Sequence, residues 1–563
     1  MAKACEKIVD VLIEAGIDHI FGIPGGGTMP IWDALYEHQD KIKIVLVRHE
    51  QAAACMADIY GRLTGKPGVL MGQGAFIASN GGFGILESYL YGSPMLVLTD
   101  TSDGEISQHG TYQSGTGEYG SYDMAAILRG MSKFTSYAVN AEEAVHGVQL
   151  AIKHAMTGRP GPACVLMRNK AITDEVNANV APRIYPTAKY LYRSLVEPVP
   201  EEIKKASQII LDAKKPVIIA GSGVHNSKSY KELEELATLL GIPVTTSYRG
   251  KSAMKEHHSL ALGMMGTFGQ KVANDYIAGS DLLLVAGCRL SPSDTKYEST
   301  QLIDPSRQKI IQIDIDARSA GWVVPVEMGL VGDLKIVLRQ LLDSIKSITG
   351  GKFAEAENRT KSVIKAKQDC SFCEAPDLYS DASPIVPQRI IREIEEAVDE
   401  NTLITLDAGN NRLWFAHFYK SKAAGTVFCP GGAAGMGWGP PAALAVKLLN
   451  PDKPVLSVVG DGGFAMVAHV LSTAVQYQIP VVFLVMNNSC LGMVRNTQMD
   501  RPVASKFVET DFAAIAQAFK CNGIKITKPD ELAPAIKKAF NDKVPTVLDV
   551  ATDTVEHHSK IIN

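Results

Sequence analysis

The chain has 563 residues, 46% of them apolar and 21% charged, with a formal net charge of −4. That length suggests about three or four domains, and the charge balance shows neither the basic excess of a nucleic-acid binder nor the like-charge run of a solvated tail. No stretch of about 18 apolar residues points to a membrane span, and nine scattered cysteines fit reduced thiols in the cytoplasm.

The opening MAKACEKIVDVLIEAG reads as an amphipathic helix and lacks the layout of a signal peptide. Helix and strand signals then alternate to about residue 180. A helix over 7–15 leads to a strand over 19–21, a turn rich in Gly and Pro at 24–27 and a helix over 29–36. A strand over 43–47 runs into Arg48-His49-Glu50-Gln51 and another helix, and later strands are expected at 67–71, 94–98 and 162–167. Residues 180–200 carry four prolines without a clean period and read as a linker. A second alternation opens at 215–221 (KPVIIAG), continues through 281–287 (DLLLVAG) and 309–316 (KIIQIDID), and ends near 345. Residues 350–385 read as a charged linker. The third alternation runs from 402–407 to 546–550. Such alternation implies parallel sheets covered by helices on both faces. The expected class is α/β, with three doubly wound parallel-sheet domains at 1–180, 195–345 and 380–555.

The third segment holds the most specific pattern. Residues 460–488, from GDGG to NN, read as strand end, Gly-rich turn, helix and strand. A Gly-rich turn opening a helix lets backbone N–H groups approach phosphate. Asp461 and Asn488 offer the hard oxygen ligands that Mg²⁺ takes when it is shared with phosphates. A βαβ unit brings the two strand ends side by side. Cys370 and Cys373 form a lone CxxC with no second pair, so neither a metal nor a redox role is read there.

GDG with NN at this spacing resembles the thiamine diphosphate signature of the acetohydroxyacid synthase and pyruvate decarboxylase superfamily, and the pattern is nearest to acetolactate synthase. The resemblance covers nearly the whole chain in family order: pyrimidine-binding, middle and diphosphate-binding domains. It implies thiamine diphosphate and Mg²⁺ as cofactors. Glu50, in VRHEQAAACMADIYGRLTG, stands where the family's essential glutamate lies and would hydrogen-bond to N1′ of the aminopyrimidine, promoting proton removal from C2. In GGAAGMGWGPP, Met436 would hold the cofactor bent and the Ala434 carbonyl would accept from its 4′-amino group. Ala408, Gly409, Asn410 and Asn411 would touch the diphosphate, with Gly462 and Gly463. The Asp461 and Asn488 side chains and the Cys490 carbonyl would ligate Mg²⁺, and Leu491, Gly492 and Met493 would complete the cofactor site. In the family the cofactor lies at a subunit interface, which implies a homodimer or homotetramer.

The resemblance leaves the substrate open. Gly26, Phe76, Met493 and Thr497 are expected to line its pocket. Residues 108–122 read QHGTYQSGTGEYGSY. Tyr112-Gln113 can match the Phe-Gln pair of acetohydroxyacid synthases, or His109-Gly110-Thr111 can stand near the His-His-Thr of pyruvate decarboxylases. His109 and Gln113 are therefore both catalytic candidates. Asn496-Thr497 stands where acetohydroxyacid synthases carry Gln-Trp, which argues against a simple branched-chain biosynthetic role. In the middle segment, Gly221-Ser222-Gly223, 263–269 and 313–316 resemble the flavin domain of those synthases, but CRLSPSDT replaces the usual Arg-Phe-Asp-Asp-Arg run. FAD is doubtful, and the ADP or CoA bound by oxalyl-CoA decarboxylases and 2-hydroxyacyl-CoA lyases stays open.

The leading expectation is a 2-keto acid decarboxylase and carboligase. Its enamine would be ligated to a second carbonyl or released as an aldehyde. The alternative is a C–C lyase on 2-hydroxy ketones or on 2-hydroxyacyl-CoA or oxalyl-CoA esters, and a more remote one is an inactive cofactor-binding regulatory chain. The expected partners are small carbonyl compounds, with no nucleic acid and no membrane.

Overall fold

Apolar runs that lack polar alternation form strands only where both faces of a sheet are covered. In the computed structural model, which describes residues 2–103, 111–192, 195–554 and 557–562, these runs build three six-stranded parallel sheets. The first contains β1 (His19–Ile23), β2 (Lys43–Leu46), β3 (Gly68–Gly72), β4 (Met95–Asp100), β5 (Phe134–Ala138) and β6 (Pro162–Met167), ordered β2-β1-β3-β4-β6-β5. The second contains β7 (Pro216–Ala220), β8 (Val244–Thr246), β9 (Ala261–Met264), β10 (Leu282–Ala286), β11 (Lys309–Asp314) and β12 (Met328–Val331), ordered β12-β11-β10-β7-β8-β9. The third contains β13 (Leu403–Leu406), β14 (Val427–Phe428), β15 (Val455–Gly460), β16 (Val482–Asn487), β17 (Asn522–Ile526) and β18 (Thr546–Ala551), ordered β14-β13-β15-β16-β18-β17. The α/β doubly wound class is therefore the observed one.

The first and third sheets share one order of connection, and the second is wound differently. Winding reverses between β1 and β3, between β7 and β10, and between β13 and β15. In open α/β sheets the crevice beyond such strand ends is where ligands sit.

The core explains how the sheets meet. Helices Glu50–Thr64 and Gly439–Leu449 pack against each other between the first and third sheets. Their alanines, Ala53, Ala57, Ala442 and Ala445 among them, share one buried apolar cluster with Trp438 and Phe464. Small side chains let the two helices approach closely, so residues far apart in sequence join one core. The second sheet keeps separate cores, around Leu236, Leu284 and Leu338 on one side and Val217, Leu283 and Ile310 on the other. Lys251 fastens it to the third sheet: its buried Nζ pairs with Glu256 at 2.7 Å and donates to the carbonyls of Ala416 and Tyr419.

Two local expectations change, at 350–385 and at GDGG. The stretch 350–385 is not all linker, because it holds the helix Ala356–Asp369. Only Val363 of that helix is buried, so no apolar stripe marks it; Arg359 ties it down by donating to the carbonyls of Leu240 and Ala213. The Gly-rich stretch 72–82 contains the short helix Gly74–Ser79. At GDGG the turn is tighter than the sequence suggests, since Asp461 already opens the helix Asp461–Val467. No helix among the described residues is long and apolar enough to cross a membrane.

Candidate active site

The third sheet's switch point forms an open cleft of about 390 Å³. One wall is the turn after β13, with Ala408, Gly409, Asn410 and Asn411. Another is the helix start after β15, with Asp461, Gly462 and Gly463. The loop after β16 supplies Asn488, Cys490, Leu491, Gly492 and Met493, and Ala434 and Met436 come from the stretch before helix Gly439–Leu449. Thus 408–411, 434, 436, 461–463, 488 and 490–493 converge on one cleft, although they are spread across the third segment. Strand order produces this, because β13, β15 and β16 are neighbours in the sheet.

Asp461 Oδ1 accepts from the Gly462 N–H at 2.7 Å, and Oδ2 accepts from the Cys490 N–H at 3.1 Å. These bonds hold the loop after β16 against the turn after β15. Burial nonetheless pushes the Asp461 carboxyl up to about 6, against the N–H groups that favour its charge. Asn488 lies beside it, with Oδ1 facing the Cys490 thiol at 3.3 Å. A carboxylate, an amide oxygen and a backbone carbonyl make a hard donor set of the type Mg²⁺ selects.

Two features suit an anionic ligand in the same cleft. Arg412 lines it with its guanidinium over the Tyr248 ring, and its buried Nε and Nη1 have no hydrogen-bond partner among the described residues. Gly409 is in the positive-φ region at +117°, so the turn presents bare backbone to the cleft. A diphosphate fits a nearby guanidinium charge and exposed backbone N–H groups, and a metal-bridged one fits the oxygen donors beside them.

The stretch 431–439 is pinned at both ends by buried carboxylates. Asp407, at the end of β13, accepts from the N–H groups of Gly437 at 2.9 Å, Trp438 at 2.8 Å and Gly439 at 2.9 Å. Burial still pushes its carboxyl up to about 6. Glu87, from helix Gly82–Tyr91 of the first sheet, accepts from Gly431 and Gly432 at 2.7 Å and from Ala434 at 2.8 Å. It also pairs with Arg62 at 2.8 Å. Burial would raise the Glu87 carboxyl, but Arg62 and the three N–H groups outweigh it and hold it below its ordinary value.

Glu50 is buried at the first position of helix Glu50–Thr64, and Asn80 Nδ2 donates to its Oε2 at 2.9 Å. No described residue of the first sheet lines the third-sheet cleft. Within one chain, Glu50 and the Asp461 cluster are therefore not in the same cleft.

The other first-sheet candidates gather at the strand ends around the β1/β3 switch point. Gly26 has φ +58°, and a Cβ there would lie 2.7 Å from Gln73 Cγ. Gln73 Nε2 donates to Gln113 Oε1 at 2.5 Å, and Gln113 itself holds φ +66°. Phe76, about a third exposed, is one turn beyond Gln73 in helix Gly74–Ser79. Gly26, Phe76 and Gln113 are thus brought to one edge. His109 lies outside the described residues.

Thr497 is not in the cleft. It sits exposed on helix Gly492–Gln498, with Oγ1 donating to the Val494 carbonyl at 2.8 Å. Its neighbour Asn496 is the inward residue, buried and accepting from Asn410 Nδ2 at 2.6 Å. Asn496, Arg412, Asn80, Asp407 and Glu87 all shape these sites, and the sequence reading assigned a role to none of them. A helical-wheel reading of 492–498 was the one signal available, since it puts Asn496 on the face of Gly492 and Met493.

A second cleft, a narrow one of about 90 Å³, opens at the β7/β10 switch point, with Ser222, Gly223, Gly287, Arg289 and Asp314 in its lining, together with Arg159 from the first segment. Arg159 and Arg289 both donate to the Leu90 carbonyl, at 2.8 and 2.7 Å. Burial, with Arg159 and Arg249 nearby, brings Arg289 down to about 10.

Comparison with known proteins gives three family matches in chain order. Residues 2–118 match the thiamine pyrophosphate enzyme N-terminal TPP binding domain, 203–341 the central domain, and 407–550 the C-terminal TPP binding domain. A probable acetolactate synthase large subunit of Methanocaldococcus jannaschii is 34% identical over 98% of this chain and 92% of its own length. The acetolactate synthase large subunit of Haemophilus influenzae is 33% identical over 99% and 95%. A putative thiamine pyrophosphate-containing protein, YdaP, of Bacillus subtilis is 29% identical over 97% and 91%.

Proposed function

The chain belongs to the thiamine pyrophosphate enzyme family, and on that premise we propose that it is an acetolactate-synthase-like enzyme that decarboxylates a 2-keto acid and ligates the remaining acyl unit to a second carbonyl. The observation that carries this reading is the convergence of Asp461, Asn488, Cys490 and Met436 on one switch-point cleft.

Bound there, thiamine diphosphate supplies a nucleophilic C2 that makes loss of carbon dioxide from a 2-keto acid feasible. The chain's own residues do the rest. Asp461, Asn488 and the Cys490 carbonyl would hold Mg²⁺. The turn at Ala408–Gly409, with Asn410, Asn411, Arg412 and the N–H groups of Gly462 and Gly463, receives the diphosphate. Leu491, Gly492 and Met493 close that end. Met436 would supply bulk beneath the cofactor, and the Ala434 carbonyl would accept from its 4′-amino group. Glu50 holds a proton at N1′, with Asn80 fixing its carboxylate. Gln113 or His109 would meet the substrate, and Gly26, Phe76 and Met493 would shape the pocket around it.

In this reading Glu50 is supplied by a second copy of the chain, in a homodimer or a larger homo-oligomer; that no described first-segment residue lines the cleft supports it. The second cleft, lined by Arg159 and Arg289, is the middle domain's candidate place for ADP or CoA, or for FAD.

The test is product analysis on protein loaded with thiamine diphosphate and Mg²⁺. Acetolactate from pyruvate supports the synthase reading. Aldehyde release from 2-hydroxyacyl-CoA, without turnover of pyruvate or benzoylformate, replaces it with a C–C lyase. No turnover of pyruvate, benzoylformate, glyoxylate with an aldehyde, or 2-hydroxyacyl-CoA by the loaded protein ends the enzymatic reading.

A further inference from the structure

The chemistry proposed above gives no work to Glu87, yet this buried carboxylate makes four short polar contacts. Its Oε1 accepts from Gly431 and Gly432, and its Oε2 accepts from Ala434. Arg62 supplies the countercharge, held between Glu87 and Asp58, which it meets at 2.8 and 2.6 Å. Asp58 in turn accepts from the indole N–H of Trp438 at 2.9 Å. One buried charge network on the first sheet therefore grips the cofactor-facing stretch at Ala434 and again at Trp438.

The stretch is shaped for that grip. Ala434 has φ +55°, a conformation an alanine holds only when its surroundings impose it. A Cβ at Gly432 would stand 2.2 Å from the Glu87 carbonyl oxygen, and one at Gly435 would stand 2.5 Å from the Phe83 ring. Backbone thus lies directly on helix Gly82–Tyr91. The Ala434 N–H points to Glu87, while Ala434 and Met436 line the cleft.

We propose that Glu87 is a positioning residue: by accepting from the Ala434 N–H it fixes where the Ala434 carbonyl and Met436 stand, and so sets how the cofactor is bent. This rests on the thiamine diphosphate reading. The diphosphate is held by other residues, so loss of the Glu87 contact alters orientation more than binding. A displacement of about 1 Å at a reacting centre is enough for a rate loss of about a hundredfold.

The experiment compares full-length wild type, Glu87→Asp and Glu87→Gln. Thiamine diphosphate affinity is measured by calorimetry with Mg²⁺, melting temperature by calorimetric scan, and hydrogen–deuterium exchange at C2 by NMR of quenched samples. Glu87→Asp keeps the charge beside Arg62, so it folds even if Glu87→Gln does not, but its shorter side chain cannot span both Arg62 and Ala434. The expected result is affinity within about threefold of wild type and C2 exchange slowed about tenfold or more. Exchange within about twofold of wild type in a folded variant overturns the proposal. So does an affinity loss as large as the exchange loss, which marks general damage to the site. If wild type binds no thiamine diphosphate, the cofactor reading itself fails and this proposal falls with it.

Discussion

Asn410 Nδ2 donates to Asn496 Oδ1 across 2.6 Å, joining the turn after β13 to the helix Gly492–Gln498. The bond fixes the amide of Asn410, a residue that lines the cleft and whose buried Oδ1 has no hydrogen-bond partner among the described residues. Asn496→Ala frees that amide to rotate. The expected cost is about 1 kcal/mol of cofactor binding, or about fivefold in Kd. Calorimetric titration with thiamine diphosphate and Mg²⁺ checks it, and an unchanged Kd removes Asn496 from the site.

Glu50→Gln is expected to keep cofactor binding and to abolish hydrogen–deuterium exchange at C2. Asn80→Ala, which removes the donor to Glu50 Oε2, should slow exchange without stopping it. Exchange at the wild-type rate in Glu50→Gln would show that this carboxylate takes no part in the proton transfer.

Chelation of divalent cations should release thiamine diphosphate, and added Mg²⁺ should restore it. Asp461→Ala removes the charged member of the oxygen set and the acceptor of the Cys490 N–H. It is expected to raise the Mg²⁺ requirement at least about tenfold. Cofactor retention in the presence of chelator would dismiss a metal-bridged diphosphate.

The two clamping carboxylates predict opposite pH behaviour. Asp407 is raised from 3.8 to about 6, so the folded state binds its proton more tightly than the unfolded chain. Its stabilising contribution is complete below about pH 4 and is lost as pH rises through about 6, by roughly 3 kcal/mol in all. Glu87 is lowered from 4.5, so its contribution is present above that value and is lost on further acidification. The melting-temperature advantage of wild type over Asp407→Asn should therefore narrow between pH 4 and 7. Its advantage over Glu87→Gln should narrow only in acid. Parallel pH profiles for the two variants would contradict the assignment.

The third-sheet cleft was legible because its signal is local. Asp461 and Asn488 stand at the ends of neighbouring parallel strands, and GDG and NN are the sequence marks of those ends. The clamp was not legible. Glu87 binds backbone N–H groups more than three hundred residues away, and an N–H donor is the same whatever side chain it carries. Asn496 was passed over for Thr497 because composition does not say which side of a short helix is buried. Helix Ala356–Asp369 looks like linker in the sequence because its contacts run through Arg359 and one valine. Long-range polar contacts and half-docked helices leave no periodic trace in the chain.

The alanine-rich seam between helices Glu50–Thr64 and Gly439–Leu449 bears on how this molecule comes apart. A single apolar mass belongs to the first and third sheets together, whereas the second has its own. Thermal or denaturant melting should accordingly divide the chain by core rather than by sequence order. Its two ends are coupled in one cooperative block, and the segment lying between them in sequence is a separate one.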